Sequence, residues 1–238
     1  MTPQTLSKRI RTFCEDNYNC KLVEKYQRYF REGYDAFGIS QDLFTRQKNE
    51  WLILYKSEFG MEGFIELGRK LISTGKYEEA SFAISFMEAF RDDFKKDTFQ
   101  ELGCWLENGI CNWAHTDILS GLLTYFFETD IVTLNAMHKW RFSESKWKRR
   151  VVPVTMIPLL KTEKNYISLF EFIDQLMMDP ERVVQQGLGW FLREAWKKQP
   201  APTEKFLKKW KDDSPRLIFQ YATERMNKEA KEKFRKEK

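Results

Sequence analysis

The apolar residues of this chain recur with a period near 3.6 along most of its length, and that feature restricts it to packed helices. Phe64, Leu67, Leu71 and Ile72 fall on one face of one segment, and Phe82, Ile84, Phe86 and Phe90 roughly mark the next. No stretch alternates convincingly as a strand would. Eleven Gly and seven Pro in 238 residues are too few for the turns of a β-sandwich or barrel. The turn signals fall between helical segments instead: Gly38, Gly60, Thr74-Gly75, Asp179-Pro180, Pro200 to Pro202 and Ser214-Pro215.

Three helix starts look alike. Ser143 opens the segment holding Trp147, Asp179 the one holding Trp190, and Ser214 the last, with Pro180 and Pro215 at the first helical position. Ser and Asp are good N-caps, and Pro is tolerated where its missing N–H has no helical partner. The starts stand 36 and 35 residues apart, the spacing of a helix pair repeated along an array. The expected fold is all-α, a HEAT-like or armadillo-type α-α superhelix with a concave basic cleft. A compact helical bundle is the alternative. Residues 1–238 read as a single domain. Within it, 1–37 form an N-terminal helical cap rich in Tyr and Phe, 38–226 the helix pairs, and 227–238 a charged tail. No linker rich in Pro, Gly or Ser divides the chain.

Composition narrows the function classes. Hydrophobic residues at 42% supply a core. The net charge of +5 and pI of about 8.9 are mildly basic. Basic residues cluster at Lys146, Lys148, Arg149 and Arg150, and again at Lys205, Lys208, Lys209 and Lys211; such runs are commonly solvated helix faces. Cys14, Cys20, Cys104 and Cys111 lack the C-x-x-C spacing of a zinc or redox site, and His115 and His138 are the only histidines. The expectation is no metal, no cofactor, and free, mostly buried thiols in a reduced cytoplasmic compartment. There is no signal peptide and no apolar run near the roughly 18 residues of a membrane span. P-loop, G-x-S-x-G and H-E-x-x-H signatures are missing. Gly187-Leu188-Gly189 lies in a helical segment and reads as close helix packing.

Trp113 with Asp117, Trp147 with Arg150, and Trp190 with Arg193 stand three or four residues apart in helical segments, so each pair shares a face. Tryptophans, one carboxylate and guanidiniums along one wall would suit a flat, cationic, phosphate-linked substrate such as damaged DNA. A carboxylate beside an indole stabilises developing positive charge. Loss of a base from a nucleoside passes through an oxocarbenium-like state of that kind. The blander reading of Trp113 and Asp117 is a buried indole beside a surface or capping Asp. His115 lies between them but points away from their face. Arg150, with Lys148 and Arg149, has the chemistry to hold phosphate. The alternative is Trp147 as a core anchor flanked by solvated cations. For Trp190 and Arg193 the alternative is helix packing with a local Arg193–Glu194 charge pattern.

Four stretches, in order, resemble the DNA alkylation repair glycosylases of the AlkD type, a family of HEAT-like repeats. Arg28-Tyr29-Phe30 followed by Phe37-Gly38-Ile39 resembles the family's R-Y-M…F/L-G-I segment, and Trp113-Ala114-His115-Thr116-Asp117 its W-D-x-V-D. Trp147-Lys148-Arg149-Arg150 is similar to W-x-x-R. Gly189-Trp190-Phe191-Leu192-Arg193-Glu194 looks like G-W-x-L-R-E, the most specific of the four. The resemblance implies that Asp117 is the catalytic carboxylate, that Trp113 and Trp190 flank the lesion's deoxyribose, that Arg150 and Arg193 hold phosphates, and that Tyr29 lines the same cleft. Family members excise cationic bases without flipping them into a pocket, unlike most enzymes that act on bases. Ala114 departs from the pattern by replacing an acidic residue. His115 and Thr116 replace small or apolar ones, and Gly121 and Leu122 stand where Pro is usual.

The expected protein is a monomer that binds double-stranded DNA, without metal or membrane. It would hydrolyse the N-glycosidic bond of 3-methyladenine and 7-methylguanine as a monofunctional glycosylase, since no lysine stands out as a Schiff-base nucleophile. Tyr29, Lys148, Arg149, Arg150 and Arg193 would contact DNA. Two rival readings remain: a non-catalytic binder of branched or distorted DNA, and a helical scaffold for protein partners.

Overall fold

The computed structural model describes residues 1–235 of the chain. All regular structure among the described residues is helical, as the periodicity requires. The described residues gather into two compact units, one of residues 1–122 and one from residue 123 onward.

The first unit holds α1 (Pro3–Asp16), α2 (Cys20–Gln27), α3 (Gln41–Ile72), α4 (Tyr77–Met87), α5 (Lys96–Trp105) and the start of α6 (Trp113–Glu128). Side chains cap the first three: Thr2 accepts from the Thr5 N–H, Asn19 from Leu22 and Ser40 from Leu43. Gly60 takes φ +58° inside α3, so α3 is two helical runs meeting at a kink. Phe64, Leu67, Leu71 and Ile72 are all buried, as expected from their spacing. The core is aromatic: Trp51 meets Phe82 edge-on at 5.1 Å, and Phe64 meets Phe86 edge-on at the same distance. Phe90 continues this core from a 3-10 turn beyond α4. Each fully buried Phe contributes roughly 2 kcal/mol of transfer free energy. A Cβ on Gly68 would lie 2.4 Å from the Trp105 ring, so only glycine lets α3 approach α5 this closely.

The second unit holds the rest of α6, then α7 (Lys146–Leu159), α8 (Tyr166–Ile173), α9 (Arg182–Lys198), α10 (Pro200–Trp210), α11 (Arg216–Ala222) and α12 (Lys228–Glu232). The helix-pair rhythm is present, but the starts differ from expectation by a residue or more. Ser145, not Ser143, caps α7, accepting from the Lys148 N–H. Asp179 and Pro180 precede α9, because the Asp179 carboxylate accepts the Glu181 N–H and closes a turn of its own. Pro215 flanks α11 from outside, and Pro200 opens α10 instead of separating helices. Phe170 of α8 stacks on Phe206 of α10 at 4.9 Å and meets Phe191 of α9 edge-on. Within the charged tail, Phe234 is buried and its carbonyl accepts from Arg216. The last three residues of that tail, 236–238, lie outside the described ones.

All four cysteines are free. Cys14 is buried in the first unit, but Cys20, Cys104 and Cys111 are exposed, contrary to the expectation of mostly buried thiols. Cys14 faces the core from the apolar stripe of α1, together with Leu6 and Ile10, whereas the other three lie outside such stripes. No helix among the described residues is long and apolar enough to cross a membrane. No group of three or more His, Cys, Asp and Glu among them is placed to hold a metal ion.

Candidate nucleic-acid interface

Asn112 starts α6. Its side-chain oxygen accepts the His115 N–H at 2.9 Å, and its carbonyl accepts the Thr116 hydroxyl. This cap fixes the first turn, and the helical period then sorts the residues. His115 and Thr116 go inside, while Trp113 stays 38% exposed and Asp117 half-buried. Trp113 is therefore not the buried indole of the blander reading.

The Trp113 indole N–H donates to the Tyr29 carbonyl at 3.1 Å, and Phe30 stacks on the indole with ring centres 5.6 Å apart. Tyr34 stacks on Phe30 at 4.6 Å, and Tyr77 meets Tyr34 at 4.9 Å. Tyr29 is exposed and lies under the Arg28 guanidinium. The first and second resembling stretches, 84 residues apart in sequence, thus touch within one unit.

Glu78 anchors this arrangement. It is buried at the first turn of α4, and its two oxygens accept the N–H groups of Phe37, Gly38 and Ile39 at 2.8, 2.7 and 3.1 Å. Gly38 has φ +77°, and a Cβ there would lie 2.4 Å from the Asn19 carbonyl oxygen. Glu79 beside it pairs with Arg11 through two hydrogen bonds. Sequence reasoning missed both carboxylates. The available signal was a pair of acids on the buried face of an otherwise apolar helix.

His115 is structural. Asn112 donates to its Nδ1 at 2.8 Å, so its proton sits on Nε2, directed at the Ser81 hydroxyl 2.9 Å away. That hydroxyl in turn donates to the Tyr77 carbonyl. Burial lowers the imidazole pKa to about 3, so the ring is neutral at physiological pH.

In the second unit the proposed phosphate contacts have intramolecular partners. Arg149 reaches the buried Asp179 at 2.6 and 3.3 Å and also the Ser143 carbonyl. Arg150 is 5% exposed and donates to the Val183 carbonyl at 2.6 Å, crossing from α7 to α9. Lys148 is buried over the Trp140 ring. Trp147 is buried, as a core anchor would be. Trp190 is half-buried. Arg193 bonds to Glu194 and Glu224. Lys209 pairs with Asp174 and Lys211 with Asp212. Gly187 and Gly189 of α9 do serve close packing. A Cβ on Gly187 would lie 3.2 Å from Arg150, and one on Gly189 only 2.5 Å from Tyr221 Cβ.

The model of the DNA alkylation repair enzyme family matches residues 13–226 of this sequence. The chain belongs to that family. Membership supports a role in DNA repair with DNA as the partner. Two solved structures share the fold. One is described as a predicted DNA alkylation repair enzyme from Enterococcus faecalis. It is 16% identical with a TM-score of 0.76, covering 89% of this chain and 98% of that one. The other is smu.31 from Streptococcus mutans UA159, 20% identical with a TM-score of 0.57, covering 77% of this chain and 92% of that one. No curated protein matches the sequence.

Proposed function

We propose that this member of the family is a monofunctional DNA glycosylase that hydrolyses the N-glycosidic bond of cationic alkylpurines such as 3-methyladenine and 7-methylguanine in duplex DNA. The supporting observation is Asp117, half-buried one helical turn after the exposed Trp113, with His115 and Thr116 between them turned into the core. A carboxylate and an indole in that relation suit a sugar cation.

The alkylated purine already carries positive charge. As the glycosidic bond breaks, its electron pair passes to the purinium ring, and the base leaves neutral without needing a proton. Asp117 stabilises the oxocarbenium left on the sugar and orients water. Water bonds to C1′ and gives its proton to solvent. This requires neither His115, which is buried and neutral, nor a covalent intermediate. Trp190 is proposed as a second indole against the lesion's sugar. Tyr29, Lys148, Arg149, Arg150 and Arg193 are the proposed DNA contacts; the four cations among them would meet phosphate only by exchanging internal partners.

A second reading is a non-catalytic binder of branched or distorted DNA, which needs no carboxylate; Ala114, where the family resemblance has an acid, favours it. Single-turnover release of free base from a duplex carrying one 7-methylguanine separates the two. The glycosylase predicts release by the wild type and a loss of about 100-fold or more in Asp117→Asn, on the scale of losing one electrostatic stabiliser. Equal release by both proteins overturns the role of Asp117. Tight duplex binding with no release by either establishes the binder.

A further inference from the structure

The second unit carries a groove of about 350 Å³ between α8 and α10. Its lining follows helical spacing. Ile167, Phe170, Glu171 and Asp174 mark one face of α8, and Pro202, Lys205, Phe206 and Lys209 repeat that spacing 35 residues later on α10. Phe170 and Phe206 are buried and stack at 4.9 Å to form the floor. Ile167, one turn before the floor, is 62% exposed. Asp174 closes the other end, accepting from Lys209 Nζ at 2.7 Å and from the Trp210 indole at 2.8 Å. These contacts fix the two walls in place. Glu171 on the α8 wall and Lys205 on the α10 wall are exposed and, among the described residues, form no ion pair.

From this lining we infer that the groove docks one amphipathic helix of a partner protein. Two apolar side chains of that helix seat over Ile167 and over the Phe170–Phe206 floor. A cation on one flank meets Glu171, and an anion on the other meets Lys205. Residues three or four apart rise about 5–6 Å along a helix axis, the step that carries α8 from Ile167 to the floor. An occupant with the same rise fills the groove in register, as helices do in apolar grooves through anchors at i and i+3 or i+4. The walls differ in sign, and unpaired charges beside an apolar floor select a partner by its flanking charges. A uniformly anionic partner, such as a duplex or an acidic membrane, would meet the Glu171 and Asp174 carboxylates of α8. A second copy of this chain would bring groove to groove and leave the floor uncovered, whereas a helix is convex. None of the residues proposed to contact DNA lines the groove, so its occupant does not depend on base excision.

The test uses the full chain and three fluorescein-labelled, alanine-based helical peptides that share two leucines four residues apart. One peptide carries lysine on one flank of the leucines and glutamate on the other. The second carries lysine on both flanks, and the third glutamate on both. Anisotropy is read at about 0.15 M salt, which screens the long-range attraction of a basic chain for anions. The mixed peptide is expected to bind about threefold or more tighter than either uniform one, on the scale of partly exposed charge pairs. Glu171→Lys makes both walls basic and is expected to move the preference to the all-glutamate peptide. Its melting temperature should stay near that of the wild type, because Glu171 is exposed. Ile167→Asp removes the exposed apolar anchor and is expected to weaken the mixed peptide about fivefold. Equal binding of the three peptides, or a preference unchanged in Glu171→Lys, overturns the proposal. Displacement of the mixed peptide by an undamaged duplex gives the groove to nucleic acid. A dimer of the free chain that the peptide dissociates gives it to a second copy. Either of these results also overturns a helical partner.

Discussion

Arg149 and Asp179 face each other across 30 residues, the guanidinium reaching the carboxylate through Nε at 2.6 Å and Nη2 at 3.3 Å. Asp179 is almost wholly buried, and Arg149 largely so. In sequence, Arg149 looks like one of a run of solvated cations and Asp179 like a helix cap. In the fold they form a bidentate pair that fixes the turn before α9. Asp179→Ala would leave a guanidinium without its carboxylate in a poorly hydrated place. The expected loss is about 3 kcal/mol of unfolding free energy, the scale for breaking a buried pair from one side. Denaturant titration checks it, and a loss below about 0.5 kcal/mol would class the pair with ordinary surface contacts.

Arg193 differs from Arg149 in that its carboxylate partners, Glu194 and Glu224, are more accessible. Arg193→Ala is expected to cost less than about 1 kcal/mol of stability, as exposed pairs do. If Arg193 exchanges Glu224 for a phosphate, the slope of log affinity against log salt falls by about 0.9 in the variant. Binding isotherms on one duplex at several salt concentrations give that slope, and an unchanged value removes Arg193 from the interface.

Two glycines predict opposite outcomes. Gly189→Ala places a Cβ 2.5 Å from Tyr221 Cβ and 2.7 Å from the Ile218 carbonyl oxygen, so α9 and α11 must separate. A cost of about 2 kcal/mol is expected from overpacking. Gly121 in α6 has nothing within 4 Å of a built Cβ. Gly121→Ala is expected to stabilise by about 0.5–1 kcal/mol, since alanine loses less backbone entropy in a helix. Thermal melts of both variants decide, and equal shifts would contradict the packing.

His115 makes stability depend on pH. Its folded pKa, lowered by burial to about 3, lies below the unfolded value of about 6.5. As pH falls through 6.5 the unfolded chain takes up a proton that the folded one refuses. The stability present above the unfolded pKa is therefore lost as pH falls, by about 2 kcal/mol at pH 5 from this residue alone. His115→Gln should flatten the profile between pH 7.5 and 5. An unchanged profile would place the acid sensitivity elsewhere.

Thiol labelling reads the first unit directly. Cys20, Cys104 and Cys111 should react with a disulfide reagent in the native protein, Cys111 slowest because burial of its sulfur raises its pKa. Cys14 should react only on unfolding, as burial pushes its thiol far above the usual range. Reaction of Cys14 at the rate of the others would show that α1 is not docked.

The sequence by itself determined the helices, because the 3.6 period of Phe64, Leu67, Leu71 and Ile72 is a local pattern that any packing partner would accept. It also determined the family, through short motifs such as Gly189 to Glu194, and that Trp113 and Asp117 share one side of α6, by helical geometry alone; the packing decided that this side is not buried. Helix starts were less legible. Asp179 and Ser143 have the chemistry of caps, but the Asp179 carboxylate is taken by Arg149 and the Glu181 N–H, and the Ser143 hydroxyl by the Ser145 N–H. Only the tertiary structure decided what the charges do. Glu78 reaches Phe37 to Ile39 across about 40 residues of chain, and Arg150 reaches Val183 across 33. No local pattern encodes such pairs. A buried charge is stable only where distant backbone or an opposite charge arrives to meet it, and that meeting exists only once the helices have packed.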